Sequence, residues 1–199
     1  MGEPSKLAAR RGELRLDDGT TLVVRPLVPD DEPLLVEGFE HLSPESRYHR
    51  FFSPLTQLGP QLLVQLTDLD YHDRFAWIAL VREDDHEVPV AVARYFVMMN
   101  TPSSVEIAIT VVDEYQGRGV GTLLVQLLAR TAVANGFERL EGQVLAENAP
   151  MRALLSALGA HTSAAERGVI DFDVDLGALP SLGTTANDGV IGSLACSAA

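Results

Sequence analysis

Three glycines, Gly117, Gly119 and Gly121, stand at alternate positions in DEYQGRGVGTLL, where an apolar run gives way to a helical one. Glycines at a helix start expose several unpaired N–H groups with no Cβ in the way, and the helix dipole adds positive potential there. Such a corner can hold a pyrophosphate, and Arg118 adds one positive charge. Two other phosphate motifs fail on spacing. A dinucleotide fingerprint G-x-G-x-x-G counted from Gly117 puts its third place on Thr122, and no strand-helix unit of that kind opens the chain. A Walker loop needs a lysine, and none is near. The remaining rival is a turn that merely lets strand and helix pack closely.

The strand before the corner, VEIAITVV, places Val105, Ile107, Ile109 and Val111 on one face and Glu106, Ala108, Thr110 and Val112 on the other. Glu106 is therefore either a solvent-facing charge or a base among small and polar neighbours. Asn148 precedes Ala-Pro at the start of a helix, which is N-cap chemistry. The histidines, His41, His49, His72, His86 and His161, show no metal-binding spacing, so no metal is expected. Cys196 lies in a small-residue segment with nothing to lower its pKa, and is read as inert.

The elements that must position these residues are legible from pattern. TLVVRPL reads as a strand and the acidic PDDEP as the start of a helix through LLVEGFEHL, its charges complementing the dipole. Ser43 caps a second helix, ESRYHRFF, whose Arg47, Tyr48, His49 and Arg50 read mainly as surface and core positions, the border of a ligand site being the alternative. GPQLLVQLTDL is a third. RFAWIALV, VPVAVARYFVM and SVEIAITVV form an antiparallel meander. TLLVQLLARTAVANG is a buried helix ending at Asn135-Gly136, RLEGQVLA a strand, MRALLSAL a helix and GVIDFDVDL a last strand. The class is α+β: a mixed, mostly antiparallel sheet of six to seven strands flanked by helices. The expected boundaries are a flexible lead over 1–13, one domain over 14–179 and a disordered tail over 180–199.

With 28 acidic against 15 basic side chains, the net charge of -13 repels a phosphate backbone and attracts amines, which argues against nucleic acid as a partner. The single cysteine allows no internal disulfide and suits a reducing cytoplasm, and no apolar stretch is long enough for a membrane span. Exposed apolar edges of a small sheet are compatible with a homodimer.

QGRGVG matches the Q/R-x-x-G-x-G/A motif of the GCN5-related N-acetyltransferase (GNAT) superfamily, and the resemblance extends in order and kind of elements over residues 20 to 176. Within it, RPLVPDDEPLLVEGF, LSPESRYHRFF and LTDLDYHDRFAWIAL resemble the acetyltransferase domain of bacterial protein-lysine acetyltransferases of the Pat type. The resemblance implies that acetyl-CoA binds where the fourth strand of the fold meets its third helix, on Gln116, Gly117, Arg118, Gly119, Val120, Gly121 and Thr122. It also implies main-chain pairing of the pantetheine arm at Val111 and Val112, with one N–H polarising the thioester oxygen, and a contribution from Asn148. Glu106, ten places before Gln116, takes the position of the general base. The implied reaction is acetylation of a primary amine, with protein lysine as acceptor. A small-molecule amine or amino acid as acceptor, or a non-catalytic acyl-CoA sensor, is the alternative. One departure stands out: where many relatives carry a tyrosine general acid, this chain has Leu155 followed by Ser156. A chain of 199 residues leaves no room for the cyclic-nucleotide-binding domain fused to some Pat enzymes, so regulation by that route is not expected.

Overall fold

A computed structural model describes residues 10–84, 86–98, 101–179 and 187–198. The strands are β1 (Gly12–Arg15), β2 (Thr21–Pro26), β3 (Arg74–Glu83), β4 (His86–Met98), β5 (Thr101–Val111), β6 (Arg139–Leu145), β7 (His161–Thr162) and β8 (Val169–Asp175). The helices are α1 (Glu32–Glu40), α2 (Pro44–Phe51), α3 (Pro60–Thr67), α4 (Val120–Ala134), α5 (Ala149–Ala157) and α6 (Asp188–Ala198). One sheet runs in the order β1-β2-β3-β4-β5-β6-β8-β7, antiparallel throughout except for β5 against β6. The expected six to seven strands are thus eight. The surplus is short: β1 has four residues and straddles the boundary expected at residue 13, and β7 has two residues.

Strand alternation sorts the core into two layers. Phe75, Trp77 and Ala79 of β3 face the cluster that contains α4, whereas Ala76, Ile78 and Leu80 face Leu34 and Leu35 of α1. α4 is apolar around most of its circumference because it is covered on most sides, with Leu124, Val125, Leu127 and Leu128 fully buried. A polar anchor inside the core is Thr131, whose Oγ1 accepts from Trp77 Nε1 at 3.1 Å and donates to the Leu127 carbonyl at 2.8 Å. The β5-α4-β6 crossover follows from that apolar helix, since parallel strands need a covering connection.

Acidic PDDEP does more than complement a dipole. Asp31 is 5% exposed and accepts both guanidinium nitrogens of Arg25, itself 8% exposed, at 2.6 and 2.8 Å. It also takes the Val28 N–H at 2.8 Å, so one carboxylate locks the turn from β2 into α1.

The expected tail from residue 180 is corrected in part. Residues 180–186 and the Cys196 side chain lie outside the described residues, but α6 is a helix packed on α4 and β1 with Ile191, Leu194 and Ala195 buried. Asn187 fixes its start, with Oδ1 accepting from Arg15 N–H and Nδ2 donating to Arg15 carbonyl, both at 2.8 Å. Gly12 makes the approach possible, because a Cβ there would lie 2.8 Å from Leu194. Composition alone hides this helix, since its glycines and small residues carry poor helix propensity and docking decides the outcome.

Candidate functional site

β5 pairs with β4 from Met98 to Ala91, but with β6 only through Ser104, Val105 and Glu106. Past Glu106 the two strands part. Val112 donates its N–H to Val90 carbonyl at 2.9 Å, so even-numbered residues of β5 direct main-chain groups to β4 and odd-numbered ones direct them into the gap. Of the expected pair, Val111 therefore faces the gap and Val112 faces β4. Val112 is engaged at both ends, its carbonyl accepting from Tyr115 N–H at 2.9 Å, and the second residue facing the gap is Ile109. Consecutive residues of a strand cannot serve the same neighbour, and that alternation was available from sequence.

At the mouth of the gap sits the glycine corner. Gly117 and Gly119 have φ of +69° and +87°, values that favour glycine, and a Cβ at either would meet nothing within 4 Å. The first intrahelical bond of α4 is Leu123 N–H to Gly119 carbonyl, and no side chain caps the helix, so the N–H groups of Val120, Gly121 and Thr122 have no helical acceptor. Bare space in front of three unpaired amides fits the diphosphate of a nucleotide. Gly121 has room for a methyl group, with Leu154 and Val111 each 3.9 Å from a built Cβ. Substitution Gly119→Ala is expected to strain the corner by about 1–2 kcal/mol and weaken acetyl-CoA binding by about tenfold or more, measured by calorimetry, with β-sheet content unchanged. Unaltered affinity would remove the corner from the site.

Two side chains of the motif have structural partners. Gln116 is exposed and its Nε2 donates to the Val111 carbonyl at 3.0 Å and to Ser46 Oγ at 3.1 Å, a strut across the corner. Arg118 donates through Nε to Asp18 at 2.7 Å and through Nη2 to Thr20 Oγ1 at 2.6 Å, and stacks over Tyr115 at 4.5 Å. Hydrogen bonds from Thr20, and then from Arg118, hold the Asp18 carboxyl down at about 2. The charge of Arg118 is thus balanced by the β1-β2 turn, and the backbone supplies the positive potential of the corner.

α2 is fastened to the same corner. Ser43 caps it as the Ser-Pro order predicts, its Oγ accepting from Ser46 N–H at 3.2 Å. Asp113 accepts from Ser43 N–H at 2.9 Å, from Ser43 Oγ at 2.8 Å and from Ser46 Oγ at 3.0 Å. Partial burial pushes the Asp113 carboxyl up, but these bonds outweigh it and hold it below the usual range.

The last turn of α2 reaches a cavity, open to solvent, walled by Leu34, Phe39, Phe51 and Leu66 and floored by Ala108 and Thr110 of β5. Arg50 and Arg94 are its charged wall. Arg94 is buried and donates to the carbonyls of Leu66 and Gln65, both at 3.2 Å, capping α3. Arg50 rests over the Phe51 ring at 4.9 Å, and among the described residues no hydrogen bond or salt bridge engages its guanidinium. Burial, and then repulsion from Arg94, bring Arg50 down to about 10 against the attraction of Glu106. Sequence reading left Arg50 among surface and core positions. Its neighbours fit that reading: Tyr48 is exposed, Arg47 stacks on Phe39 at 4.4 Å and His49 lies 3.9 Å from Glu147.

Glu106 is half-buried, two residues before Ala108 on the same face of β5. Burial raises its pKa, Arg50 offsets part of the rise, and Glu141, its register partner on β6, raises it further. Asn148 caps α5, its Oδ1 accepting from Met151 N–H at 3.1 Å. Leu155 is fully buried in the core, whereas Leu154 is the residue of α5 beside Gly121. Neither carries a hydroxyl. Ser156, two residues past Leu154, lies about 200° around the helix and is exposed.

The chain matches the acetyltransferase (GNAT) family over residues 39–160. It is 37% identical over 144 residues to an acetyltransferase of Pseudomonas aeruginosa, covering 72% of this chain and 77% of that protein. Identity to acetyltransferase Pat of Mycolicibacterium smegmatis is 33% over 158 residues, covering 79% of this chain but 46% of Pat, so the match spans about half of Pat's length. Among solved structures, the GNAT domain of S. lividans PAT superposes with a TM-score of 0.76 at 31% identity, covering 84% of this chain and 98% of that domain. A Salmonella typhimurium protein solved with acetyl-CoA superposes with a TM-score of 0.63 at 15% identity, covering 82% of this chain and 99% of that one, a likeness of fold alone.

Proposed function

Because the chain belongs to the GNAT acetyltransferase family, we propose that it transfers the acetyl group of acetyl-CoA to a primary amine, with Glu106 as general base and a protein lysine as acceptor. One observation carries the reading: the uncapped start of α4, with its bare positive-φ glycines, opens beside the unpaired flank of β5. A diphosphate on the first and an extended amide-bearing arm along the second are what these two features recognise together.

Acetyl-CoA brings an acyl group already activated as a thioester. The chain does the rest. N–H groups of Val120, Gly121 and Thr122 anchor the diphosphate, and the outward amides of Ile109 and Val111 align the arm. An alkyl ammonium has a pKa near ~10.4, so almost none is nucleophilic at neutral pH, and Glu106 takes its proton directly or through one water. The raised pKa of Glu106 brings it toward the range in which a base is effective. A thiol of pKa near ~8.5 departs without a dedicated acid, which agrees with leucines at both candidate positions on α5.

Lysine as acceptor rests on the likeness to Pat. A small amine is the second reading, favoured by the apolar cavity whose floor residue Ala108 lies two residues from Glu106. Acetyl-CoA added at a hundredfold excess over its Kd is expected to stabilise the protein by about 2.7 kcal/mol in denaturant titrations. Thiol release with a panel of amines should then be measurable, and absence of both effects in folded material would overturn the proposal.

A further inference from the structure

Arg50 lines one end of an apolar cavity, and Glu106, two residues before the floor residue Ala108, is near enough to attract it, although among the described residues no hydrogen bond or salt bridge engages the guanidinium. Arg94 adds positive charge to the same wall while its donors are spent on α3. Filling such a cavity removes water from the guanidinium, and a desolvated cation without a counter-charge is costly. A lysine side chain brings a hydrocarbon stem and a cation that competes with Arg50 for the attraction of Glu106. The complementary ligand has an amine and a carboxylate close together on an apolar body.

Resting on the acetyl-transfer reading, and taking its small-amine form over protein lysine, we propose that the acceptor is a free α-amino acid with an apolar side chain. Its carboxylate lies on Arg50, its amine turns toward Glu106, and its side chain fills the space between Leu34, Phe39, Phe51 and Leu66. Arg50 is suited to this task because a guanidinium forks onto both carboxylate oxygens, and the Phe51 ring limits its rotation. The transfer balances without a further reagent: one proton of the ammonium passes to Glu106, the thioester C–S bond breaks as the amide N–C bond forms, and the second proton lost from nitrogen passes through water to the departing coenzyme A thiolate. The products are the N-acetyl amino acid and free thiol.

Matched acceptors test this in the wild-type protein. Thiol release is followed with L-leucine against L-leucinamide, L-phenylalanine against L-phenylalaninamide, and a lysine peptide blocked at both ends. The amides carry the less basic amine and are intrinsically the more reactive at neutral pH, so preference for the acids runs against intrinsic reactivity. Expected is a kcat/KM about tenfold or more higher for each acid than for its amide, from a charge-assisted bidentate contact that the amide cannot make. In Arg50→Gln the ratio should fall to about one, mainly through KM, while calorimetry shows unchanged acetyl-CoA binding. Acids no better than amides in the wild type, or a ratio that survives Arg50→Gln, overturns the inference. Acetylation of the blocked peptide alone does so too, yet leaves the acetyltransferase reading standing. If acetyl-CoA itself fails to bind, that broader reading falls first.

Discussion

Replacing Glu106 with glutamine is expected to lower acetyl transfer by about 10²-fold or more at neutral pH, with the heat of acetyl-CoA binding unchanged. Glutamine keeps the shape and hydrogen-bonding reach of the side chain and loses only the ability to accept the proton. The pH profile adds a second readout. Burial, and then Glu141, push the Glu106 pKa above the ordinary carboxylate value, so the acid limb of kcat/KM should sit above the pH at which a free carboxylate titrates. Stability moves the other way. Between the ordinary and the raised value the unfolded chain has lost this proton and the folded chain keeps it, so stability falls as pH rises across that interval. Glu106→Gln removes this contribution and should be slightly more stable than the wild type at neutral pH. A variant with near wild-type turnover across the pH range would end the assignment.

The largest stability effect is expected at Asp31→Ala, at about 3–5 kcal/mol in urea or guanidinium titrations. The substitution strands Arg25, 8% exposed, without the two bonds at 2.6 and 2.8 Å that neutralise it, and frees the Val28 N–H at the turn into α1. That is a large part of the roughly 5–15 kcal/mol by which a domain is stable. Replacing both partners by apolar residues of similar volume, Arg25→Met with Asp31→Leu, should recover most of the loss, since what costs most is the charge left alone. A loss under about 1 kcal/mol for the single variant would show that water reaches Arg25 in the folded protein.

What could be read in the sequence was local. Ser43-Pro44, Asn148-Ala-Pro and Asn135-Gly136 are complete signals within a few residues, and each marks the helix end it predicts. The glycine corner was legible for the same reason, because positive φ and an uncapped helix start are properties of the segment itself. Arg118 was not: its partner Asp18 lies 100 residues away, and nothing near QGRGVG announces it. Gln116 and Ser46, 70 residues apart, hid each other in the same way. Arg50 needed α1, α3 and β5 assembled before its setting existed. Periodicity adds what counting along a motif leaves out: Ile109 and Val111, not Val112, turn their main-chain groups into the gap, and Leu154, not Leu155, lies beside Gly121.

The parting of β5 from β6 has a consequence for solubility. Unmated peptide groups on the rim of a sheet invite the strands of other molecules, and proteins guard such rims with charge, brevity or a cover. Here the unmated groups lie in the interior of the sheet, with β4 on one flank and β6, backed by β8, on the other. A stray polypeptide has no open side from which to dock, whereas a slender, unbranched ligand can slide in lengthwise. The molecule thereby keeps an adhesive seam without the hazard of fibrous self-association.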